Sequence, residues 1–277
     1  MSFTWINGIY KKDSEASLHI SDLAIQRGYG VFDFFRVRQK RPFLIGHYLD
    51  RFFNSAERLN LTVPMSKSSL LAVIHEFIEK NELTDYGIKM ILTGGYSDDS
   101  YTPAKPNLII RGHQITPPAP KKYQQGIRIM TNEHQRGTPE CKSLDYRQGI
   151  TLLPQLQKKE LDDVLYYFEN KITEFPRSNF FMVDQKNRVI TPARHILEGI
   201  TRNVLITVAA NHYSVEERDI FLDELPNARE AFLTSTTKLV MPICEIDGSK
   251  VGSGVPGPIT KHLSALMNQL PSDYHLS

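Results

Sequence analysis

Pro139-Glu140-Cys141-Lys142-Ser143-Leu144-Asp145-Tyr146 stands between a stretch of strand character, Ile127 to Thr131, and a helical pattern, Gly149 to Leu161. A lysine at such a junction can project into a cleft. Taken by itself, Lys142 reads as one solvated charge among 33 basic residues. The downstream sequence changes that reading. Thr173-Glu174-Phe175-Pro176-Arg177-Ser178-Asn179-Phe180-Phe181 sets a carboxylate immediately ahead of a strongly apolar strand. Leu197-Glu198-Gly199-Ile200-Thr201-Arg202-Asn203 then leads into an apolar helix, Val204 to Ala209. Glycine then threonine at a helix start leaves free N–H groups at the positive end of the helix dipole, a natural anion site. The plainer reading is a threonine N-cap with no ligand. Further on, Phe232-Leu233-Thr234-Ser235-Thr236-Thr237 ends a strand in a cluster of hydroxyls, which can close the other side of an anion.

Working outward, the N-terminal segment alternates polar and apolar residues about Asn7-Gly8, the signature of a β-hairpin. Val31 to Val37 reads as a strand. His47 to Leu61 carries Leu49, Phe52, Phe53, Ala56 and Leu59 at helical spacing, with Arg51 on a different face. A second helix is expected over Ser66 to Asn81, capped by its serines. Strands follow at Ile88 to Thr93 and Asn107 to Gly112, joined by the polar loop 94–106. Thr116-Pro117-Pro118-Ala119-Pro120 marks a stiff, extended connector, since proline suits neither helix interior nor central strand. It divides the chain into residues 1–115, a linker over 116–121, and residues 122–277. Beyond it come strands at Val164 to Glu169, Phe180 to Val183, Arg188 to Thr191 and Ala231 to Thr234, and a helix near 258–270. The expected class is α+β, with two domains built on largely antiparallel sheets.

Composition narrows the function. Hydrophobic content of 40% with 23% charged residues belongs to a water-soluble globular chain. A formal charge of +2 gives no bulk attraction to nucleic acid or to an anionic membrane. Two cysteines, Cys141 and Cys244, cannot form a disulfide framework, and the absence of a signal-like N-terminus or a long apolar run points to the cytoplasm. No metal is expected.

An amine, a carboxylate and an anion cup in this order suit chemistry on a protonated pyridine ring. The chain indeed resembles the class IV, or fold-type IV, pyridoxal-phosphate-dependent aminotransferases. That family includes D-amino-acid aminotransferases, branched-chain aminotransferases and aminodeoxychorismate lyases. The resemblance rests on Arg27-Gly28-Tyr29-Gly30-Val31-Phe32-Asp33, on His47-Tyr48-Leu49-Asp50-Arg51 with Ser55-Ala56, and on Lys142-Ser143-Leu144. Thr173-Glu174 with Ser178-Asn179, Gly199-Ile200-Thr201-Arg202 and Thr234-Ser235-Thr236-Thr237 extend it over nearly the whole chain.

The resemblance implies a fold-type IV fold, pyridoxal 5'-phosphate as cofactor, and a homodimer whose loops close each other's sites. Lys142 would attach the cofactor as a Schiff base and shuttle protons, and Glu174 would pair with the ring nitrogen. Arg51, the amides of Ile200 and Thr201, and Thr236 would hold the phosphate. Tyr146 would reach the phenolic oxygen, although it lies one residue nearer the lysine than the branched-chain pattern has it. The substrates would be an amino acid and a 2-keto acid.

The substrate positions depart from the family. Overall spacing is most similar to the D-amino-acid enzymes, yet their carboxylate-binding tyrosine falls on Phe32 and their Arg-x-His pair on Asp99-Ser100-Tyr101. A carboxylate bound away from water still needs a cation. Arg27, Lys89 and Arg177 are the candidates, with Thr237 beside them. Lys89 alternates with Ile88 and Met90 and so points to the opposite face of its strand. A D-amino-acid donor is expected, with an L-branched-chain reading supported by Tyr146, Phe32, Phe34 and Met90, and a lyase reading third.

Overall fold

In the computed structural model, which describes residues 2–272 and 274, the strands gather into two sheets. The first is built from β1 (Phe3–Ile6), β2 (Ile9–Lys12), β3 (Gly30–Arg38), β4 (Arg41–Pro42), β5 (Tyr86–Thr93) and β6 (Leu108–His113). Their order is β2-β1-β6-β5-β3-β4, and every neighbour is antiparallel. A short helix, α1 (Leu23–Arg27), precedes β3, and α2 (Ile45–Arg58) and α3 (Lys67–Lys80) follow β4. Their apolar stripes place Leu49, Phe52, Leu70, Ile74 and Phe77 against Val31, Phe35 and Ile88 of the sheet. Period-two alternation leaves the other face of β3 half-buried, with Phe32, Phe34, Arg36 and Arg38 on it. That face looks toward the rest of the chain.

The second sheet has ten strands and two apolar faces. It contains β7 (Ile127–Glu133), β8 (Asp163–Phe168), β9 (Lys171–Ile172), β10 (Glu174–Phe175), β11 (Ser178–Val183), β12 (Val189–Thr191), β13 (Val215–Glu217), β14 (Glu230–Ser235), β15 (Leu239–Ile246) and β16 (Ser249–Lys250). The main path runs β13-β12-β11-β14-β15-β7-β8-β9, with β10 paired to β11 and β16 to β15. Every residue of β11 is buried because helices and loops cover both sides. Phe181 and Val183 pack under α7 (Ile200–Ala210) and α8 (Pro258–Asn268), while Phe180 and Met182 enter the opposite core. Phe181 stacks on Phe232 of β14, centroids 5.0 Å apart, a pairing worth about 0.5–1.5 kcal/mol beyond its buried area.

Four sequence expectations need correction. The second sheet is mixed: β12–β13, β15–β7 and β7–β8 are parallel. The expected helix 149–161 is two short ones, α5 (Arg147–Thr151) and α6 (Leu153–Lys158), because Pro154 can only enter a first helical turn. Pro120 starts the helix α4 (Pro120–Gln125) instead of extending the connector, since a first-turn proline lacks only a hydrogen that would go unused. The central strand β15 escaped detection because it carries Pro242, which reads against a central strand. β7 joins β15 only from Ile243 onward, so at Pro242 β14 is its neighbour.

Candidate active site

Lys142 is delivered by the first sheet, although it belongs to the chain beyond the connector. The Phe32 N–H donates to its carbonyl at 2.9 Å, and the Leu144 N–H donates to Gly30 O at 3.0 Å. Residues 142–144 thus dock on the N-terminal part of β3. Only glycine fits at position 30, where a Cβ would lie 2.6 Å from Leu92 O and 2.7 Å from Leu144 Cδ1. From α2, Ser55 Oγ accepts the Lys142 N–H at 3.1 Å. The side chain extends past the Phe32 ring, with Nζ 4.9 Å from its centroid. Burial, reinforced by the Arg51 charge, lowers its pKa from 10.5 to about 7, against the opposing pull of Asp33.

Glu174, at the start of β10, is 4% exposed. Its Oε2 accepts the Leu197 N–H at 3.0 Å, and Oε1 lies 3.2 Å from Arg136 Nη1. Asn179 Nδ2 donates to Leu197 O at 2.8 Å, fixing the loop that supplies this amide. Burial raises the Glu174 pKa to about 7 even though Arg136 opposes the shift. Arg136 also donates to Cys141 O at 2.9 Å, which ties the carboxylate to the residue preceding Lys142.

The start of α7 lines the same cavity as Lys142 and Glu174. Its N-cap, Gly199, offers no side-chain cap, so the amides of the first turn face the cavity. A Cβ on Gly199 would sit 2.0 Å from Asn179 Oδ1. Thr236 approaches from the β14–β15 turn, its Oγ1 3.1 Å from Tyr48 OH. Arg51 comes from α2, where it grips the fully buried Asp33 with Nε–Oδ2 2.9 Å and Nη2–Oδ1 2.7 Å. Its remaining Nη1 is 3.3 Å from Glu198 O. Lys142, Glu174, Arg51, Tyr146, Ile200, Thr201 and Thr236 all line one cavity of about 50 Å³. Ser178 Oγ and Thr234 Oγ1, at the same place, are buried without a hydrogen-bond partner among the described residues.

That cavity adjoins a cleft of about 610 Å³, which shares Lys142, Tyr146, Arg177 and Thr236 with it. Phe32, Phe34 and Lys89 form its wall on the first sheet, and Thr237 lies on the other side. The Phe32 and Tyr146 rings are 5.6 Å apart. Lys89 Nζ is 4.6 Å from the Phe32 centroid, so two amines flank one ring. Burial and the neighbouring Arg111 lower the Lys89 pKa, and no carboxylate pairs with it among the described residues.

Several expected residues fall elsewhere. Arg27 is exposed at the end of α1, its guanidinium on Gln26 O, and it does not line this cleft. Met90 is fully buried in the core on the face opposite Lys89, as the strand's alternation requires, so it forms no part of the wall. Asp99 closes its own loop, accepting from the Tyr101 and Thr102 N–H groups at 2.9 and 2.7 Å. These bonds and the Thr102 hydroxyl hold its pKa well below the usual carboxylate range. Sequence reasoning missed Asp33 and Arg136 as site residues. A buried Glu174 demands a cation, but nothing in the sequence singles out Arg136 among the arginines.

The donor set suits pyridoxal phosphate. Lys142 can meet the aldehyde, Glu174 the ring nitrogen, and the first turn of α7 with Thr236 and Arg51 the phosphate. Fold and site together define a fold-type IV enzyme. The chain belongs to the class IV aminotransferases, whose family model matches residues 30–246. It is 29% identical over 274 residues to a D-alanine aminotransferase of Bacillus licheniformis, covering 96% of each chain. A Methanocaldococcus jannaschii protein provisionally named a branched-chain-amino-acid aminotransferase is 30% identical over 270 residues, with 94% of this chain and 93% of that one covered. A branched-chain amino acid aminotransferase of T.th., solved with pyridoxamine 5'-phosphate, superposes with a TM-score of 0.89 at 23% identity. The match covers 97% of this chain and 93% of that one, a likeness of fold.

Proposed function

We propose that this aminotransferase uses pyridoxal 5'-phosphate on Lys142 to move an amino group from a D-amino acid to a 2-keto acid. The observation that carries the proposal is the pairing, in one cavity, of a lysine pushed toward neutrality with a buried carboxyl. A pKa of about 7 leaves much of Lys142 as free amine at neutral pH, able to attack an aldehyde and later to take an α-proton. Glu174, held by Leu197 and Arg136, keeps a proton on a ring nitrogen placed against it. The bound cofactor supplies an electron sink for the substrate carbon. The first turn of α7, Thr236 and Arg51 neutralise its phosphate.

Lys89 and Arg177 are proposed to bind the substrate carboxylate in place of the missing Arg-x-His pair, with Phe32 and Thr237 completing the pocket. Lys89 is favoured because it is half-buried on the cleft wall beside the ring that Lys142 touches. Lys89→Ala should weaken donor binding and leave the absorbance of bound cofactor unchanged; half-reaction kinetics equal to wild type would refute the role. Tyr146, whose ring packs 5.6 Å from that of Phe32, supports a second reading, transfer from L-branched-chain amino acids. Mixing the loaded protein separately with D-alanine, D-glutamate, L-leucine and L-isoleucine distinguishes the two. Loss of the bound-cofactor absorbance with the L pair alone would overturn the D-amino-acid reading.

We also propose that residues 1–115 and 122–277 act as two domains joined at 116–121, and that the enzyme works as a cytoplasmic homodimer. Apolar cores built mostly from one part each support the division, with Cys141 and Ile200 of the second part reaching into the first core. The exposed side chains of Ile20, Ile25, Tyr96 and Tyr101 offer a face for a second copy. Among the described residues no helix is long and apolar enough to cross a membrane.

A further inference from the structure

The turn between β14 and β15 brings Thr236 and Thr237 to the cleft, and its exit is strained. Leu239, the first residue of β15, has φ 52°, in the left-handed region that costs an L side chain about 1–2 kcal/mol. Such a conformation persists where surrounding contacts over-determine it. Here three contacts converge on the preceding residue, Lys238. Its Nζ donates to Asp163 Oδ2 at 2.9 Å. Its backbone N–H donates to Ser235 Oγ at 3.2 Å, closing the turn. Its carbonyl accepts the Tyr123 hydroxyl at 3.0 Å.

The brace is anchored at both far ends. Asp163 begins β8 and also accepts the Val164 N–H at 3.0 Å. Tyr123 belongs to α4, the first element after the connector, and its neighbour Lys122 pairs with Asp162. The Lys238 and Asp163 side chains are 21% and 11% exposed, so the pair is largely shielded from water. Lys238 itself lines the cleft that holds Lys142. Sequence patterns gave it no role.

We propose that Lys238 is a positioning residue: clamped by Asp163 and Tyr123, it holds the Ser235–Thr237 turn with its donors facing the cofactor and substrate cavity. The inference rests on the reading of Thr236 and Thr237 as ligand-binding residues. It also makes α4 the means by which the connector, whose Thr116 and Pro118 line the cleft, is tied to that turn.

Lys238→Met, Asp163→Asn, Tyr123→Phe and Lys238→Arg test it. In the loaded enzyme, Lys238→Met and Asp163→Asn should each raise the donor KM and the pyridoxal phosphate Kd by about tenfold, and the double variant no further, as coupled partners do. Tyr123→Phe should show a smaller effect in the same direction, and Lys238→Arg should restore most of the loss. In the cofactor-free protein, amide hydrogen exchange over residues 235–239 should accelerate in Lys238→Met. Wild-type KM, Kd and exchange in Lys238→Met, or fully additive losses in the double variant, would overturn the brace. A wild-type protein that bound no pyridoxal phosphate would overturn the proposed function instead, and the exchange of the 235–239 amides would still decide the brace.

Discussion

At the scale of the residue, the site depends on two ionisable groups that burial drives toward each other's range. Lys142 has a folded pKa of about 7 against an ordinary 10.5, so the unfolded chain binds more protons between these values. Stability of the cofactor-free protein therefore rises with pH across that window, and the penalty of the buried ammonium is complete below it. Lys142→Met should make the cofactor-free protein more resistant to denaturant at pH 6, with the advantage vanishing above pH 10.5. An advantage independent of pH, read from urea titrations, would contradict the assignment. Glu174 is shifted the other way, and Arg136 is what restrains its rise. Arg136→Ala should move the acidic limb of the pH–rate profile to higher pH and lower kcat by about two orders of magnitude, the scale of a misplaced proton-holding group. A profile with an unmoved limb would remove Arg136 from the machinery. Lys142 and Glu174 were legible in the sequence because each sits in a distinctive string. Arg136 and Asp33 were not, because each acts by satisfying another buried charge, and such pairing is a property of the fold.

At the scale of the element, α7 starts on the Gly-Ile-Thr string where the sequence reading expects a helix start. Gly199 followed by Ile200 and Thr201 opens the helix with no side-chain cap. The close approach that requires glycine at 199 was not legible, since it depends on Asn179 arriving from β11. Gly199→Ala should push Asn179 away and tilt the first turn, weakening pyridoxal phosphate about tenfold, roughly 1.4 kcal/mol. Equilibrium titration by absorbance measures this, and an affinity equal to wild type would show that the helix end does not hold the phosphate. The strand β5 shows how far alternation carries. Alternation sets Lys89 opposite Ile88 and Met90, and the fold puts Lys89 on the cleft wall and Met90 in the core. β15 remained hidden because Pro242 obscured a strand whose neighbours come from opposite ends of its half of the chain.

At the scale of the molecule, the cavity is assembled from both sheets. The first sheet and α2 contribute Arg51 to the cavity and Phe32 to the adjoining cleft, with Asp33 and Ser55 holding Arg51 and Lys142 from behind, and the second sheet with its loops contributes Glu174, the start of α7 and the Thr236 turn. Lys142 joins them, carried on the later half of the chain but hydrogen-bonded to the earlier half. Motif order gave the fold class and the cavity's main residues, because these motifs are local. Sheet topology, the parallel pairs and the Lys238 brace arise from long-range pairing, which no local string encodes. The exclusion of Arg27 is of the same kind, since its exposure follows from where α1 packs. Sedimentation at equilibrium should give a dimer at assay concentrations, and a monomer that transaminates at full rate would refute the proposed assembly. The central claim, that the cofactor is carried by Lys142, has a direct measurement. The loaded protein is reduced with borohydride and digested, and its peptides are sequenced by mass spectrometry. The expected result is a phosphopyridoxyl group on Lys142 alone. A label on Lys89 or Lys238, or no covalent label, would contradict it.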